Sequence, residues 1–290
     1  MKFAAASAAL LAATAVVAAP TKRAVTDTDI LQYALTLEHL ENYFYSHFLS
    51  LYSQEDFAAA GFPDWVRNRV ENIAGHEAQH VALLSGALGS IATQPCTYAF
   101  PGVTDPASFM AMATVIENVG VSAYLGAASS ITEAAYVTVA GSILTTEARH
   151  QGWLSSSVEK GPGWSGPEDT PLDFDTVYSV ATEFITACPS SNPPLPFKAF
   201  PALAIAADGT VTTKSDTTNT YVQLIQGLDS NTFPVTNGVV SGLPTLQGIY
   251  YAVLTTEANN TLVTDDNIVA GPMIFDYPFL SKEANPAPSF

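Results

Sequence analysis

Two short strings, Glu77-Ala-Gln-His80 and Glu147-Ala-Arg-His150, constrain this chain more than any other feature of its sequence. Each places a carboxylate and an imidazole three positions apart, so on a helix both side chains leave the same face. With 13 Glu and five His in 290 residues, chance gives only ~0.2 such matches. A Glu-x-x-His motif on each of two helices, with a lone Glu on each of two others, is how four-helix bundles hold a pair of metal ions.

The two lone glutamates are also present, at Glu38 and Glu117. Each is followed seven residues later by a tyrosine, at Tyr45 and Tyr124. A Glu-x6-Tyr segment followed by a Glu-x-x-His segment therefore occurs twice, which predicts a duplicated helical hairpin.

These acidic residues, and Glu41 with them, interrupt hydrophobic faces at helical spacing. The apolar positions of the four segments are Ile30, Ala34, Leu37, Tyr45 and Phe48, then Val66, Val70, Ile73, Leu84 and Leu88, then Phe109, Ala113, Ile116, Gly120 and Tyr124, and finally Tyr136, Ala140, Ile143 and Leu154. A buried, unpaired carboxylate costs several kcal/mol or takes up a proton. Four carboxylates in one core need a counter-charge, and two divalent cations supply it. The alternative is a core that satisfies the same polar residues without metal.

Composition indicates a folded protein without a nucleic-acid-binding surface. The chain is 48% hydrophobic and 13% charged, and its net charge is −17. A chain of 290 residues is long enough for two domains. The acidic balance argues against nucleic acid or an anionic membrane as a partner.

The N-terminus has the pattern of a targeting segment. Lys2 precedes an Ala-, Leu- and Val-rich run that ends in small residues, which predicts a signal peptide over residues 1–19. The dibasic pair Lys22-Arg23 then predicts a short pro-segment over residues 20–23, with two basic residues in a plain linker as the alternative. No later run reaches the 18 apolar residues of a membrane anchor. We expect a secreted protein, extracellular or associated with the cell wall.

Two further features fit an oxidising compartment. The chain has only two cysteines, Cys96 and Cys188, and a bridge between them would close a loop of about 90 residues. The sequon Asn259-Asn260-Thr261 marks Asn259 as a glycosylation site.

The helical part has credible ends and one long connection. Thr26 or Asp27 can cap the first helix, Pro63 and Pro106 suit first-turn positions, and Gly89 can end the second helix. The stretch 90–104 is the longest gap between core helices. A fifth amphipathic helix, closed by Cys188, is predicted from Leu172, Val177, Ala181, Phe184 and Ile185.

The composition changes after Cys188. Several prolines predict a stiff linker over residues 191–200, which separates a helical domain of residues 24–190 from a β-rich domain of residues 201–290. Short β-prone runs cover Ala202 to Ala206, Tyr221 to Ile225, Ile249 to Thr255, and Met273 to Phe275. Their spacing predicts a small antiparallel sandwich without a metal or catalytic motif.

Residues 27–188 resemble the ferritin-like superfamily, specifically the domain of secreted fungal stress-response and sexual-development proteins and of plant desiccation-related proteins. The resemblance lies in Leu37-Glu-His-Leu-Glu41 with Phe44-Tyr45, in both Glu-x-x-His motifs, and in Glu117 with Tyr124. It implies a mainly α fold, a four-helix bundle that holds two iron or two manganese ions. By position, the implied metal ligands are Glu38, Glu77, His80, Glu117, Glu147 and His150.

Within this resemblance Glu77 and Glu147 are the expected bridging ligands, and Glu41 is the alternative to Glu38. We prefer Glu38, because its spacing to Tyr45 repeats that of Glu117 to Tyr124. The two tyrosines are expected next to the ligands. Expected reaction partners are O2, peroxide or a small organic molecule, in an oxidase or ferroxidase type of reaction. The signal peptide and the β region argue against a hollow iron-storage cage.

Two other classes of function stay open at this point. His76-Glu77-Ala-Gln-His80 also matches the zinc-protease motif, with Glu77 as general base, although the third ligand of that pattern is missing downstream. A non-catalytic wall or matrix protein, with the bundle as scaffold and cell-wall material as its partner, is the other. Two Fe or Mn ions per chain, one Zn ion, or no metal would distinguish the three classes.

Overall fold

The computed structural model describes residues 24–244 and 247–277, which form a helical bundle followed by a β-sheet region. The helices are α1 (Asp27–Leu51), α2 (Gln54–Ala59), α3 (Trp65–Leu88), α4 (Pro106–Ala127), α5 (Ala134–Trp153) and α6 (Phe174–Thr182). The strands are β1 (Thr97–Tyr98), β2 (Ile185–Ala187), β3 (Leu203–Ile205), β4 (Val211–Thr213), β5 (Tyr221–Gln226), β6 (Asp229–Thr236), β7 (Val239–Val240), β8 (Gly248–Thr255) and β9 (Ile268–Tyr277). The predicted signal peptide and pro-segment lie outside the described residues.

The helix ends follow from local sequence. Thr26 caps α1, and Pro106 is the first residue of α4. Gly89 follows α3 with a positive φ of 59°, a conformation that glycine adopts at little cost. Pro63 is not in the first turn of a helix as predicted, because α3 begins two residues later at Trp65.

The bundle consists of two helical hairpins. α1 packs mainly on α3, and α4 packs mainly on α5. A crossover over residues 89–105 joins the hairpins, and the short helix α2 lies within the first one. The predicted four-helix bundle with one long connection is confirmed, and the carboxylate-bearing faces of the four long helices meet at its centre.

The fifth helix is shorter than predicted. α6 ends at Thr182, and Phe184 is no longer helical because the chain turns into β2, which pairs with β1 in the crossover. The Cys96–Cys188 disulfide lies beside this pair, with a Cα–Cα distance of 4.2 Å. The bridge therefore holds the end of the helical region against the crossover between the two hairpins.

The β region is a five-stranded antiparallel sheet in the order β7-β6-β5-β8-β9, with the β3-β4 hairpin packed against it. Successive side chains along a strand point to opposite faces of the sheet, so the apolar side chains of these strands belong to two different clusters. Val222 and Leu254 face the hairpin, whereas Ile225, Tyr251 and Val253 belong to the apolar cluster that continues into the bundle. The small β region predicted from the sequence is confirmed.

The sheet and the bundle share one core. The hydroxyl of Tyr251, on β8, accepts a hydrogen bond from Asn118 Nδ2 (2.6 Å) on α4 and lies 2.9 Å from the hydroxyl of Ser122. Within the Pro-rich stretch after the disulfide, Phe197 packs on Tyr33 of α1, with ring centroids 5.3 Å apart. The sheet is therefore packed directly on the bundle, and the Pro-rich stretch does not hold the two apart.

Among the described residues, one helical stretch, Pro106–Ser130, is long and apolar enough to cross a membrane. It comprises α4 and the short turn that follows it, and 67% of its most apolar window is buried within the protein. Such burial is typical of a core helix.

Candidate metal centre

Four helices bring four glutamates and two histidines to the middle of the bundle. α1 contributes Glu38, α3 contributes Glu77 with His80, α4 contributes Glu117, and α5 contributes Glu147 with His150. All four glutamates are fully buried, and the two histidines are 8% and 6% exposed. The helical spacing of each Glu-x-x-His motif places both of its side chains on the inner face.

These six side chains form two overlapping groups of ligand atoms. One group is Glu38, Glu77, His80 and Glu147, and the other is Glu77, Glu117, Glu147 and His150. Within each group the ligand atoms lie within 4.8 Å of one another. Glu77 and Glu147 belong to both groups, which is the arrangement required of carboxylates that bridge two ions.

Both histidines turn the same ring nitrogen towards the carboxylates. His80 Nδ1 lies 2.9 Å from Glu77 Oε2, 3.2 Å from Glu147 Oε1 and 3.3 Å from Glu38 Oε2. His150 Nδ1 lies 3.1 Å from Glu117 Oε2 and 3.3 Å from Glu77 Oε1. Each imidazole can therefore offer Nδ1 to a metal while its Nε2 points away from the carboxylates.

The two tyrosines explain the repeated Glu-x6-Tyr spacing. Tyr124 of α4 donates its hydroxyl hydrogen to Glu38 Oε1 of α1, and Tyr45 of α1 donates to Glu117 Oε1 of α4. The bonds therefore cross between the hairpins. Burial and the adjacent carboxylates raise the pKa of both phenols well above the usual range, so both remain donors.

The carboxylates are not satisfied by the protein alone. Glu147 Oε2 is buried without a partner, and Glu38 Oε2, Glu77 Oε1 and Glu147 Oε1 make no well-aligned hydrogen bond and have only a shared histidine Nδ1 at 3.2–3.3 Å. Buried polar atoms are almost always paired, and buried charges pair or coordinate metals. A set of four carboxylates and two imidazoles fits two hard or borderline divalent cations such as Fe(II) or Mn(II).

The electrostatics of the metal-free site agree with this fit. Burial raises the pKa of Glu38 to about 7, and burial together with Glu117 raises that of Glu147 well above the ordinary value. Burial lowers the pKa of the histidines, but their hydrogen bonds to carboxylates outweigh it and raise His80 to about 12 and His150 to about 10. Protons on these groups supply the counter-charge that metal ions would replace.

Glu41 is buried close to the site but belongs to neither ligand group. It follows Glu38 by three residues, and the corresponding position after Glu117 is Gly120. A Cβ at Gly120 would lie 3.0 Å from Glu41 Oε1 and 3.2 Å from Glu147 Oε2. The glycine therefore leaves room for an additional carboxylate, whose pKa burial and repulsion by Glu147 raise well above the usual range.

The remaining histidines take other positions. His76 Nδ1 lies 2.8 Å from His150 Nε2, with the rings stacked 5.1 Å apart, so it contacts a histidine of the site from outside the two ligand groups. His39 bonds to the Thr93 carbonyl through Nε2 at 3.0 Å, and His47 stacks on Tyr43.

Two cavities adjoin the site on different sides. The histidine pocket, lined by Arg69, His76, His80, Arg149, His150 and Trp153, lies between α3 and α5 and encloses about 480 Å³. The apolar cavity, at one end of the bundle, encloses about 80 Å³ and reaches Tyr124 and Leu37. Sequence reasoning missed Arg69, which lies seven residues before His76 on the same face of α3, and Arg149, which directly precedes His150 and whose spacing gave no such signal.

The other predicted sites lie away from the centre. Cys96 and Cys188 are bridged, which is typical of proteins folded in an oxidising compartment. Asn259 is exposed in the loop between β8 and β9, where its Oδ1 accepts a hydrogen bond from Thr261 N at 2.8 Å. Its glycosylation stays a prediction.

Residues 26–160 match the family model of the ferritin-like domain, so the helical part of this chain is a ferritin-like domain. The curated protein rds1 of Schizosaccharomyces pombe is 27% identical over 194 residues. That similarity covers 65% of this chain and 47% of rds1, so the matched region spans about half of the relative's length.

Proposed function

We propose that this protein is secreted, that it binds two iron or two manganese ions between the four long helices, and that it reacts with O2 or peroxide. Glu38, Glu77, His80, Glu117, Glu147 and His150 would hold the ions, with Glu77 and Glu147 bridging. Bound Fe(II) or Mn(II) would supply the one-electron chemistry that carboxylate side chains lack. A role in stress response or development follows from the family resemblance.

The observation that carries this proposal is the overlap of the two ligand groups at Glu77 and Glu147. Two divalent cations neutralise four carboxylates and provide partners for the buried oxygens that make no well-aligned hydrogen bond. Tyr45 and Tyr124 orient Glu117 and Glu38 by donating to the second oxygen of each, as ligating carboxylates usually require.

The size of the apolar cavity supports a small co-substrate. Its volume of about 80 Å³ exceeds the ~10–15 Å³ that one water molecule requires by the same measure. It therefore suits O2 better than a large organic molecule, which occupies pockets of ~300 Å³ or more. Through Tyr124 the cavity adjoins Glu38, so O2 held there would be close to the proposed ions.

The geometry does not favour the zinc protease. His76 and His80 do not converge with a third ligand in either group found among the described residues, because His76 contacts His150 instead. Glu77, which would be the general base, is fully buried among the other carboxylates.

The test is anaerobic loading of the full-length protein with Fe(II), followed by exposure to O2. Metal content and optical spectra are recorded before and after exposure. We expect two Fe per chain and a new absorption band only after O2 is added. One tightly held Zn in place of Fe would support the protease, and a protein without metal would support the scaffold. A Glu147→Gln variant checks that the band arises at this site.

Secretion is tested separately, by expressing the full-length chain in a fungal host. Its N-terminal sequence in the medium should begin near Ala24. A protein that stays inside the cell with residues 1–23 attached would contradict this part of the proposal.

A further inference from the structure

The histidine pocket concentrates positive side chains in a strongly acidic protein. The chain has a net charge of −17 and ten Lys and Arg residues, of which four are arginines. Two of those arginines, Arg69 and Arg149, and three of the five histidines line this one pocket. The concentration lies next to the proposed metal centre, where a ligand could affect it.

The positive charges of both arginines are available to a ligand. The Arg69 guanidinium lies 5.9 Å from the centre of the Trp153 ring, and Arg149 Nη2 donates to Thr146 Oγ1 at 3.2 Å. Among the described residues, neither forms an ion pair with a carboxylate, whereas Arg67 on the same helix pairs with Glu71. Arg67 is therefore paired with a carboxylate, whereas the positive charges of Arg69 and Arg149 are not neutralised by one among the described residues.

His80 and His150 differ in the partner of Nε2, the ring nitrogen that points away from the carboxylates. His150 Nε2 has His76 as its partner at 2.8 Å. His80 has all of its polar contacts through Nδ1, and its ring lines the pocket. A histidine that binds metal through one nitrogen normally donates its other N–H to an acceptor. The residue is 8% exposed and its ring lines the pocket, so Nε2 is the ring nitrogen left to contact a ligand there.

We propose that the histidine pocket binds a small oxyanion, a phosphate or an organic carboxylate, between Arg69 and Arg149, with His80 Nε2–H as a further donor. Guanidinium groups recognise both anions through paired, charge-assisted hydrogen bonds. A volume of about 480 Å³ lies within the ~300–1,000 Å³ range of small-molecule sites.

This inference rests on the proposed function only for the neighbouring metal centre. Two divalent ions there would balance the four carboxylates, so that the buried charge no longer repels an anion. The pocket, which shares no lining residue with the apolar cavity, then gives the centre a separate access for an acidic substrate or regulator. Binding through the two arginines does not itself require metal.

The test is calorimetric titration of the full-length protein with sodium phosphate, and separately with sodium acetate, at constant ionic strength set with chloride. Metal-free and Mn(II)-loaded samples are both measured, and their metal content is determined first. We expect one saturable site per chain, weakened roughly 10-fold or more in the R69Q/R149Q double variant, because each lost charge-assisted hydrogen bond costs about one order of magnitude. The matched control K198Q/K214Q removes two exposed positive charges elsewhere and should bind as the wild type does.

The outcomes separate this proposal from the previous one. Tighter binding of phosphate would identify a tetrahedral ligand, and tighter binding of acetate an organic acid. No saturable binding to either sample, or equal affinity in R69Q/R149Q and wild type, would overturn the oxyanion site. A protein that takes up no metal but still binds the anion through its arginines would refute only the metal centre.

Discussion

The sharpest prediction concerns the difference between shared and unshared carboxylates. Glu77 and Glu147 lie in both ligand groups, whereas Glu38 lies in one and Glu117 in the other. Replacing any of them by Gln preserves the volume of the side chain but removes an anionic ligand. Glu77→Gln should therefore disturb both ions, and Glu38→Gln only one.

The expected magnitudes follow from linkage. An ion at a free concentration of 1,000 times its Kd stabilises the folded protein by ~4 kcal/mol, so two ions contribute roughly 8 kcal/mol. At ~2–4 °C per kcal/mol for a chain of this size, loading should raise the Tm of the wild type by roughly 15–30 °C. The rise should be about half as large in Glu38→Gln and Glu117→Gln, and nearly absent in Glu77→Gln and Glu147→Gln.

The assay is equilibrium dialysis against Mn(II), with metal counted per chain and Tm measured by calorimetry before and after loading. Glu159→Gln is the matched control, because Glu159 is a partly buried carboxylate that accepts from Thr114 and lies outside both groups. Two ions retained in Glu77→Gln, or both ions lost in Glu38→Gln and Glu117→Gln alike, would refute the shared-ligand arrangement.

Four further predictions concern the buried ionisable groups and the disulfide. With pKa values raised to about 12 for His80 and about 10 for His150, both rings are charged at pH 7, and the raised pKa values of Glu38 and Glu147 favour protons on these carboxyls as well. Loading should therefore release more than two protons, and metal affinity should fall as the pH is lowered; titration in buffers of different ionisation enthalpy measures this, and zero release would contradict it. The same ion pairs stabilise the metal-free protein fully below pH ~6.5, and that stability is lost as the pH rises through about 10 and then about 12. Glu41→Gln should keep both ions and change the Tm of the metal-free protein little at neutral pH, because the raised pKa of Glu41 already keeps this carboxyl protonated; metal loss equal to that of Glu38→Gln would show that Glu41 is a ligand. Replacing Cys96 and Cys188 by Ser opens a loop with a sequence separation of 92, which should cost about 4–5 kcal/mol and lower the Tm by roughly 10–20 °C without changing the metal count.

The bundle and the location of its buried acids were predictable because local rules govern both. A carboxylate that interrupts an apolar stripe at helical spacing must face the core, whatever the tertiary details. The capping of α1 by Thr26 and the ending of α3 at Gly89 follow from side-chain and backbone chemistry within one turn.

Other features depend on contacts between distant parts of the chain and could not be read from local patterns. Phe184 continues the apolar period of α6, yet pairing of the next residues with β1 beside the disulfide ends the helix. The crossing of the tyrosines could not be deduced from their spacing, which fits a bond within one hairpin as well as one between hairpins. The sequence around Gly120 did not indicate why a glycine is needed there, because the reason is the position of Glu41 in the folded protein.

The two halves of the site, which correspond to the repeated segments of the sequence, are similar but not identical. Both halves supply a Glu, a Tyr and a Glu-x-x-His motif, which yields two nearly equivalent ligand groups. The halves differ at two positions. Glu41 of the first half corresponds to Gly120 of the second, and the two lie side by side. His76, which contacts His150, corresponds to Thr146, which accepts a hydrogen bond from Arg149. This contact holds Arg149 of the second half beside the histidine pocket, which His80 of the first half also lines. These two differences in the repeat would make the proposed pair of ions inequivalent, because the histidines that hold them would have different outer partners.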